Sequence, residues 1–206
     1  MIKAIFFDFD GVLTIEATGT TSIVNYISTK TGINKELFNK EYRKFNPDLL
    51  LGKVIHEQIW DDLCEALNQQ IPFQVLVDSF LNTELDNRVL SLASMIKSMG
   101  YKVGMITDNK TDRIKAISDL HKLDELFDVV CISASLGLSK SGKQIFLEAT
   151  RKAGVSPLEA VFIDNSPENL IIPRDLGMST IHFDHDERDY DKLIAQLEGV
   201  GIQIKG

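Results

Sequence analysis

The sequence predicts an α/β fold: a parallel sheet core flanked by helices, with a small helical unit inserted after the first strand. Three observations carry this. The apolar run Ile5-Phe6-Phe7 leads into Asp8-Phe9-Asp10-Gly11, the pattern of a buried strand in a parallel sheet. From about Ile15 to about Asn82 the apolar residues recur at helical spacing, and β-branched alternation is missing. From about Leu85 short apolar runs alternate with amphipathic helices, which implies parallel strands joined by right-handed crossovers. The α/β part therefore comprises residues 1–14 and 83–206, and the insertion residues 15–82.

In the insertion, Thr20–Lys30 places Ile23, Val24 and Ile27 on one helical face, and Gly32 stops it. Lys35–Phe45 gathers Leu37, Phe38 and Tyr42 before Asn46-Pro47 breaks the chain. Lys53–Leu67 carries Ile55, Ile59, Leu63 and Leu67 at helical spacing, and Pro72 opens a further helix with Phe73, Leu76, Val77 and Phe80 apolar. The α/β rhythm then returns. A helix over Asn87–Met99 ends at Gly100 and precedes the strand Tyr101–Thr107. Asp108–Leu120 reads as a helix, Phe127–Ser133 as a strand, and Gly142–Ala153 as a helix closed by Gly154. Ser156-Pro157-Leu158-Glu159 has the form of a capping box with Pro at the first helical position. Ala160–Ile163 is a short buried strand, Pro167–Leu176 a helix kinked or shortened by Pro173, Thr180–Phe183 the last strand and Asp189–Leu197 the terminal helix.

The 206 residues suffice for one good-sized core plus a small appendage. Thirty acidic against 22 basic residues give a net charge of −8, which disfavours nucleic acid or an anionic membrane as main partner. An anionic small substrate stays compatible, because a local cation inverts the local field. Cys64 and Cys131 lie far apart without metal-type spacing and read as free thiols of a reducing, cytoplasmic compartment. No run is long and apolar enough to span a bilayer, and no leader-like N-terminus suggests export. Without such a signal the Asn109-Lys110-Thr111 acceptor pattern has no glycosylation reading.

Four polar clusters sit at strand ends or in the loops that follow. Side chains alternate along a strand, so Asp8 and Asp10 emerge on one side, where ligands of open α/β sheets bind, and Gly11 permits a tight turn after them. Like charges so close call for a shared proton or a hard, oxygen-ligated cation such as Mg²⁺. Thr107-Asp108-Asn109 reads either as an ordinary N-cap or as a phosphate cradle with free backbone N–H groups at a helix start. Lys140 precedes a helix, and alone would be a solvated surface lysine. Asp164-Asn165 follows a strand, as a cap, an Asx-turn into Ser166-Pro167, or part of a site. Together they form the equipment of phosphoryl transfer through an aspartyl-phosphate: an attacking carboxylate, a proton-handling carboxylate, and cations with a helix start to hold the phosphoryl oxygens.

The stretches Asp8-Phe9-Asp10-Gly11-Val12-Leu13-Thr14, Ile106-Thr107-Asp108-Asn109, Gly137-Leu138-Ser139-Lys140 before Ile145-Phe146, and Val161-Phe162-Ile163-Asp164-Asn165-Ser166-Pro167-Glu168-Asn169 resemble, in order and spacing, the haloacid dehalogenase-like (HAD) hydrolase superfamily over essentially the whole chain. The resemblance implies a Rossmann-like core and makes residues 15–82 an α-helical cap, whose Gly52–Trp60 segment also looks like common cap sequences. It implies Asp8 as nucleophile and Asp10 as general acid and then base, with its backbone carbonyl on Mg²⁺. It further implies Thr107 and the backbone after it, through Asp108 and Asn109, as phosphate contacts, Lys140 as the cation steadying Asp8 and the phosphoryl group, and Asp164 with Asn165 completing the metal site.

Two departures stand out. Where the family often has two acids this chain has Asp164-Asn165, so weaker Mg²⁺ binding is expected. The Pro usual after the lysine is Ser141, and Lys143 competes for the role, but the spacing from Gly137 and to Ile145-Phe146 favours Lys140. The expected function is a Mg²⁺-dependent phosphatase acting on a small phosphorylated metabolite. The alternatives are a phosphomutase, a 2-haloacid dehalogenase, against which Asp10 argues, and a feebly active binding module, to which Asn165 gives weight. Arg43, Lys53 and His56 are possible substrate contacts of the insertion but read as solvated helix faces, and none is assigned. His182, His185 and Asp184 suggest a metal less than they suggest strand-end polarity, and Asp184–Asp191 reads as solvated surface and helix N-terminal charge.

Overall fold

Five parallel strands stand in the order β3-β2-β1-β4-β5 in a computed structural model that describes residues 1–204. They are β1 (Ala4–Phe7), β2 (Lys102–Thr107), β3 (Val129–Ile132), β4 (Ala160–Asp164) and β5 (Ser179–His182). The first strand is central. Successive strands build outward from it on one side, and the chain then returns to its other side with β4, so the strand order reverses between β1 and β4. A crevice at the carboxyl ends of the strands forms at such a switch point. The register pairs Phe7 with both Met105 and Ile163, which sets Asp8 beside the end of β4.

The alternation of β1 serves two faces. Ile5 and Phe7 join a large apolar cluster with Val103, Met105, Val161 and Ile163, whereas Ala4 and Phe6 join a second cluster with Ile106, Cys131 and Phe162. The first face is covered by α6 (Asn87–Ser98), α7 (Thr111–His121) and α12 (Tyr190–Gly199), and the second by α10 (Lys143–Ala153) and α11 (Ile171–Asp175). Two short helices, α8 (Leu123–Leu126) and α9 (Ser133–Leu136), flank β3.

The insertion holds α1 (Gly19–Thr31), α2 (Lys35–Tyr42), α3 (Asn46–Leu50), α4 (His56–Ala66) and α5 (Phe73–Leu81). Its entry and exit are pinned together. Ile15 N–H donates to the Glu84 carbonyl at 3.0 Å and Asp86 N–H to the Leu13 carbonyl at 2.8 Å. Besides apolar packing, several contacts join the inserted helices to the core, among them those at His56 and Gly52. His56 is fully buried, with Nδ1 2.6 Å from Asp112 Oδ2 on α7 and Nε2 2.7 Å from the Tyr42 hydroxyl. Gly52, with φ +66°, lies so close to α9 that a Cβ would stand 2.0 Å from the Ala134 carbonyl oxygen.

Several element ends differ from the sequence expectation for local reasons. The helix expected from Lys53 starts at His56, because Gln58 Oε1 accepts the Ile55 N–H at 2.9 Å and so caps the helix there. Pro47 does more than break the chain, since it falls in the first turn of α3, where its missing N–H is tolerated. The helix expected from Asp108 starts at Thr111. Ser156–Glu159 closes as one 3₁₀ turn before β4, with Ser156 N–H donating to Glu159 Oε2 at 2.9 Å, and no α-helix follows. Pro167–Leu176 divides into a 3₁₀ turn, Pro167–Leu170, and α11, with Pro173 buried inside the latter.

Candidate active site

The chain leaves β1 extended at Asp8 and makes one wide turn over Phe9–Leu13, closed by Thr14 N–H donating to the Phe9 carbonyl at 3.1 Å. Gly11 has φ +79°, and a Cβ there would lie 2.3 Å from Asn165 Nδ2, so both backbone and space require glycine. Arg188 grips the turn from outside. Nη1 donates to the Gly11 and Thr14 carbonyls at 3.3 and 3.2 Å and Nη2 to the Val12 carbonyl at 3.0 Å, while Nε donates to buried Asp86 at 2.8 Å. The expectation of solvated surface over Asp184–Asp191 therefore fails at Arg188, whose side chain is 12% exposed. Its carboxylate and carbonyl partners come from segments remote in sequence.

Asp8 and Asp164 stand side by side where β1 and β4 end, both buried. Asp8 Oδ1 accepts the Phe9 N–H at 2.7 Å, and Lys140 Nζ lies 2.9 Å from Asp8 Oδ2 and 2.7 Å from Asp164 Oδ2. Asp164 also accepts the Ser166 N–H at 2.8 Å and the Asn169 amide. Burial works against the Lys140 charge, but the two carboxylates outweigh it and hold the ammonium protonated well above the usual range. Burial is also the largest influence on Asp8 and pushes its carboxyl up, with Asp164 adding to the effect and Lys140 opposing it. Two buried carboxylates on one ammonium leave an excess negative charge. Asp8 and Asp164, and Asn165 on the cleft wall, carry side-chain oxygens, the donor type that suits a hard cation such as Mg²⁺.

Asp10 points elsewhere. Its Oδ1 and Oδ2 are held by Arg113 Nη2 and Nη1 at 2.9 and 3.0 Å, a two-pronged pair, and Oδ2 also accepts the Asn109 amide at 2.7 Å. Arg113, on α7, is fully buried, and sequence reading did not find it. The available signal was weak: a lone Arg four residues after Asn109, one helical turn away. Thr107 and Asp108 line the cleft, with Asp108 Oδ1 accepting the Lys140 backbone N–H at 2.9 Å and burial raising the Asp108 pKa. Asn109 sits beneath, its N–H donating to Ser133 Oγ at 2.9 Å and its Oδ1 accepting from Lys110 N and Arg113 Nη1. The expected helix start with free N–H groups is thus a loop before α7, and the Asn109 N–H is already satisfied.

The cleft measures about 680 Å³ and lies between the strand ends and the inserted helices, with Arg43, Asn46, Lys110, Lys140, Asn165 and His185 among its walls. Lys143 is exposed at the start of α10. Arg43 reaches the cleft, whereas Lys53 pairs with Asp48 at 3.0 Å and His56 is buried, which corrects its reading as a solvated face. His182 Nε2 donates to the Asn165 carbonyl at 3.0 Å and so ties the end of β5 to the loop after β4, and Asp184 accepts the Asp186 and Glu187 N–H groups of its own loop. No helix among the described residues is long and apolar enough to cross a membrane.

Residues 2–177 match the family model described as haloacid dehalogenase-like hydrolase. A glyceraldehyde 3-phosphate phosphatase of Methanothermobacter thermautotrophicus is 29% identical, with 99% of this chain and 95% of the relative covered. A sesquiterpene phosphatase of Aspergillus oryzae is 27% identical over 64% of this chain and 76% of its own. The bifunctional epoxide hydrolase 2 of Sus scrofa is 26% identical over 98% of this chain, which spans only 40% of that longer protein. A HAD family enzyme of Bacteroides thetaiotaomicron, solved with magnesium and inorganic phosphate, has the same fold, with TM-score 0.73 and 18% identity over 94% of this chain and 99% of its own. Sequence motifs, strand order and matched length agree: the chain belongs to the haloacid dehalogenase-like hydrolases.

Proposed function

We propose that this hydrolase is a Mg²⁺-dependent phosphomonoesterase acting on a small phosphorylated metabolite through an aspartyl-phosphate on Asp8. The observation that carries this is the Asp8 carboxylate at the end of the central strand, fixed by the Phe9 N–H and by Lys140 beside Asp164. A carboxylate so fixed keeps an oxygen directed at an incoming phosphorus and loses little freedom on reacting. Lys140 balances the phosphoryl oxygens from one flank, and Thr107 and Asp108 line the cleft beside them. Asp8, the Asp10 carbonyl, Asp164 and Asn165 would hold Mg²⁺, which when bound supplies positive charge to the transferring group. The phosphatase names of two full-length or near-full-length relatives support the same reaction class.

Asp8 attacks phosphorus and the ester bond breaks. Asp10, protonated, gives its proton to the leaving oxygen, then takes one from the water that hydrolyses the aspartyl-phosphate, returning Asp8 and releasing phosphate. Arg113 and Asn109 together hold both Asp10 oxygens, so Asp10 must turn out of that hold to reach the leaving oxygen. The inserted helices, residues 15–82, act as a cap that closes over the site and excludes water, with residues 1–14 and 83–206 as the catalytic core.

The test is phosphate release from p-nitrophenyl phosphate. Turnover should need Mg²⁺, stop with a chelator, and fall on the order of 10³-fold or more in Asp8→Asn. Turnover that persists in Asp8→Asn, or without metal, would remove this mechanism.

A further inference from the structure

The other cations in and near the cleft that are buried or nearly so are paired among the described residues. Lys140 lies between Asp8 and Asp164, Arg113 holds Asp10, and Arg188 holds Asp86. Lys110 is different. It is 5% exposed and lines the cleft, yet its side chain makes no hydrogen bond or ion pair among the described residues. Its Nζ lies 5.7 Å from the Tyr42 ring centroid, a cation–π contact that supplies no counter-charge. Lys110 is thus a mostly buried residue whose ammonium faces the cleft without a partner, and burial, followed by the neighbouring Arg113, lowers its pKa to about 8, while Asp10 and Asp112 pull the other way. An anion in the cleft would supply the missing counter-charge.

That anion is a second one. Lys140 belongs to the loop before α10 and faces Asp8 and Asp164, whereas Lys110 follows β2 and neighbours Asp10 and Arg113. The two ammonium groups thus face different carboxylates. Arg43, at the end of α2, adds a further guanidinium to the cleft wall with no ion-pair partner among the described residues. The carboxylates lining the cleft are held elsewhere: Asp8 by Lys140, Asp10 by Arg113, and Asp108 by the Lys140 backbone N–H.

We propose that the cleft takes a phosphomonoester bearing a second anionic group, a carboxylate or another phosphate, and that Lys110, assisted by Arg43, binds that second group. The proposal rests on the phosphatase reading for the group that is transferred.

Matched pairs test it by calorimetric binding to the Asp8→Asn protein with Mg²⁺, where nothing turns over. One pair is 3-phosphoglycerate against glycerol 3-phosphate, and the other is propane-1,3-diol bisphosphate against propyl phosphate. The member with the second charge should bind at least ~10-fold tighter in one pair or both, as expected for a hydrogen bond to a charged group, and the pair that shows it identifies the group. Lys110→Met should bring that ratio to within about 3-fold of one, and Lys110→Arg, which keeps the charge and guards against a folding failure, should retain most of it. Equal binding within both pairs overturns the proposal. So does Lys110→Met weakening both members alike, which would assign Lys110 to the transferred phosphoryl group or to the fold. Loss of Mg²⁺-dependent hydrolysis in the wild type with the binding preference intact would instead remove the phosphatase reading and leave the anion site standing.

Discussion

Lys140 places one ammonium against two carboxylates, and the negative excess left behind explains why the residue beside Asp164 matters. In this chain that residue is Asn165, whose side chain fills the space a Cβ on Gly11 would need. A carboxylate there would add a charge to the proposed metal site without adding bulk. Asn165→Asp should therefore tighten Mg²⁺ binding about 5- to 10-fold, as roughly 1 kcal/mol of partly screened attraction implies, measured by calorimetric titration. Unchanged affinity would show that Asn165 does not touch the ion. Asp8 and Asp164 stood out in the sequence because each directly follows or ends a short apolar strand, whereas Lys140 was singled out only by the spacing of the resembling motifs. Arg113 and Lys110 were not. An arginine inside a helix and a lysine before one look like ordinary solvated residues until the side chains around them are known.

The turn after β1 shows the same division between elements. Its sequence, with Gly11 at the bend, announces a tight reversal, but Arg188 from the segment before α12 supplies what keeps it in shape. Arg188→Ala should lose three charged hydrogen bonds to carbonyls and leave buried Asp86 with Tyr190 and backbone N–H groups alone, costing about 2–3 kcal/mol in chemical denaturation. A loss below about 0.5 kcal/mol would show that water replaces the guanidinium at those carbonyls. Helix existence was readable from period and stop signals throughout, while helix starts at His56 and Thr111 were missed. There a side-chain cap and a loop bonded to Ser133 decide the boundary, and neither has a periodic signature.

Across the molecule, one apolar cluster runs from the sheet face through Ile5 and Phe7 into the inserted helices through Phe38, Trp60 and Leu63. Core and insertion share that cluster and the His56–Asp112 contact, so they should unfold together. Trp60 is the sole tryptophan and lies in α4, with Nε1 donating to the Ile71 carbonyl at 2.8 Å. Its fluorescence in urea should trace the same transition as far-ultraviolet circular dichroism, which reports all the helices. A Trp60 transition at lower urea would show that the inserted helices come apart first.

Local rules are written in neighbouring residues: the 3.6 and 2.0 periods, the proline and glycine stops, and the carboxylates just past a buried strand. That is why the α/β class, the helical insertion and the Asp8–Asp10 motif could be read directly. Which remote segments meet is another matter. Arg113 reaches Asp10 across 103 residues, and Arg188 reaches Gly11 across 177. Lys110 has no ion-pair partner among the described residues, and the carboxylates that act on it, Asp10 and Asp112, are paired with Arg113 and His56. Those pairings depend on packing between distant parts of the chain, and the folded arrangement alone assigns them.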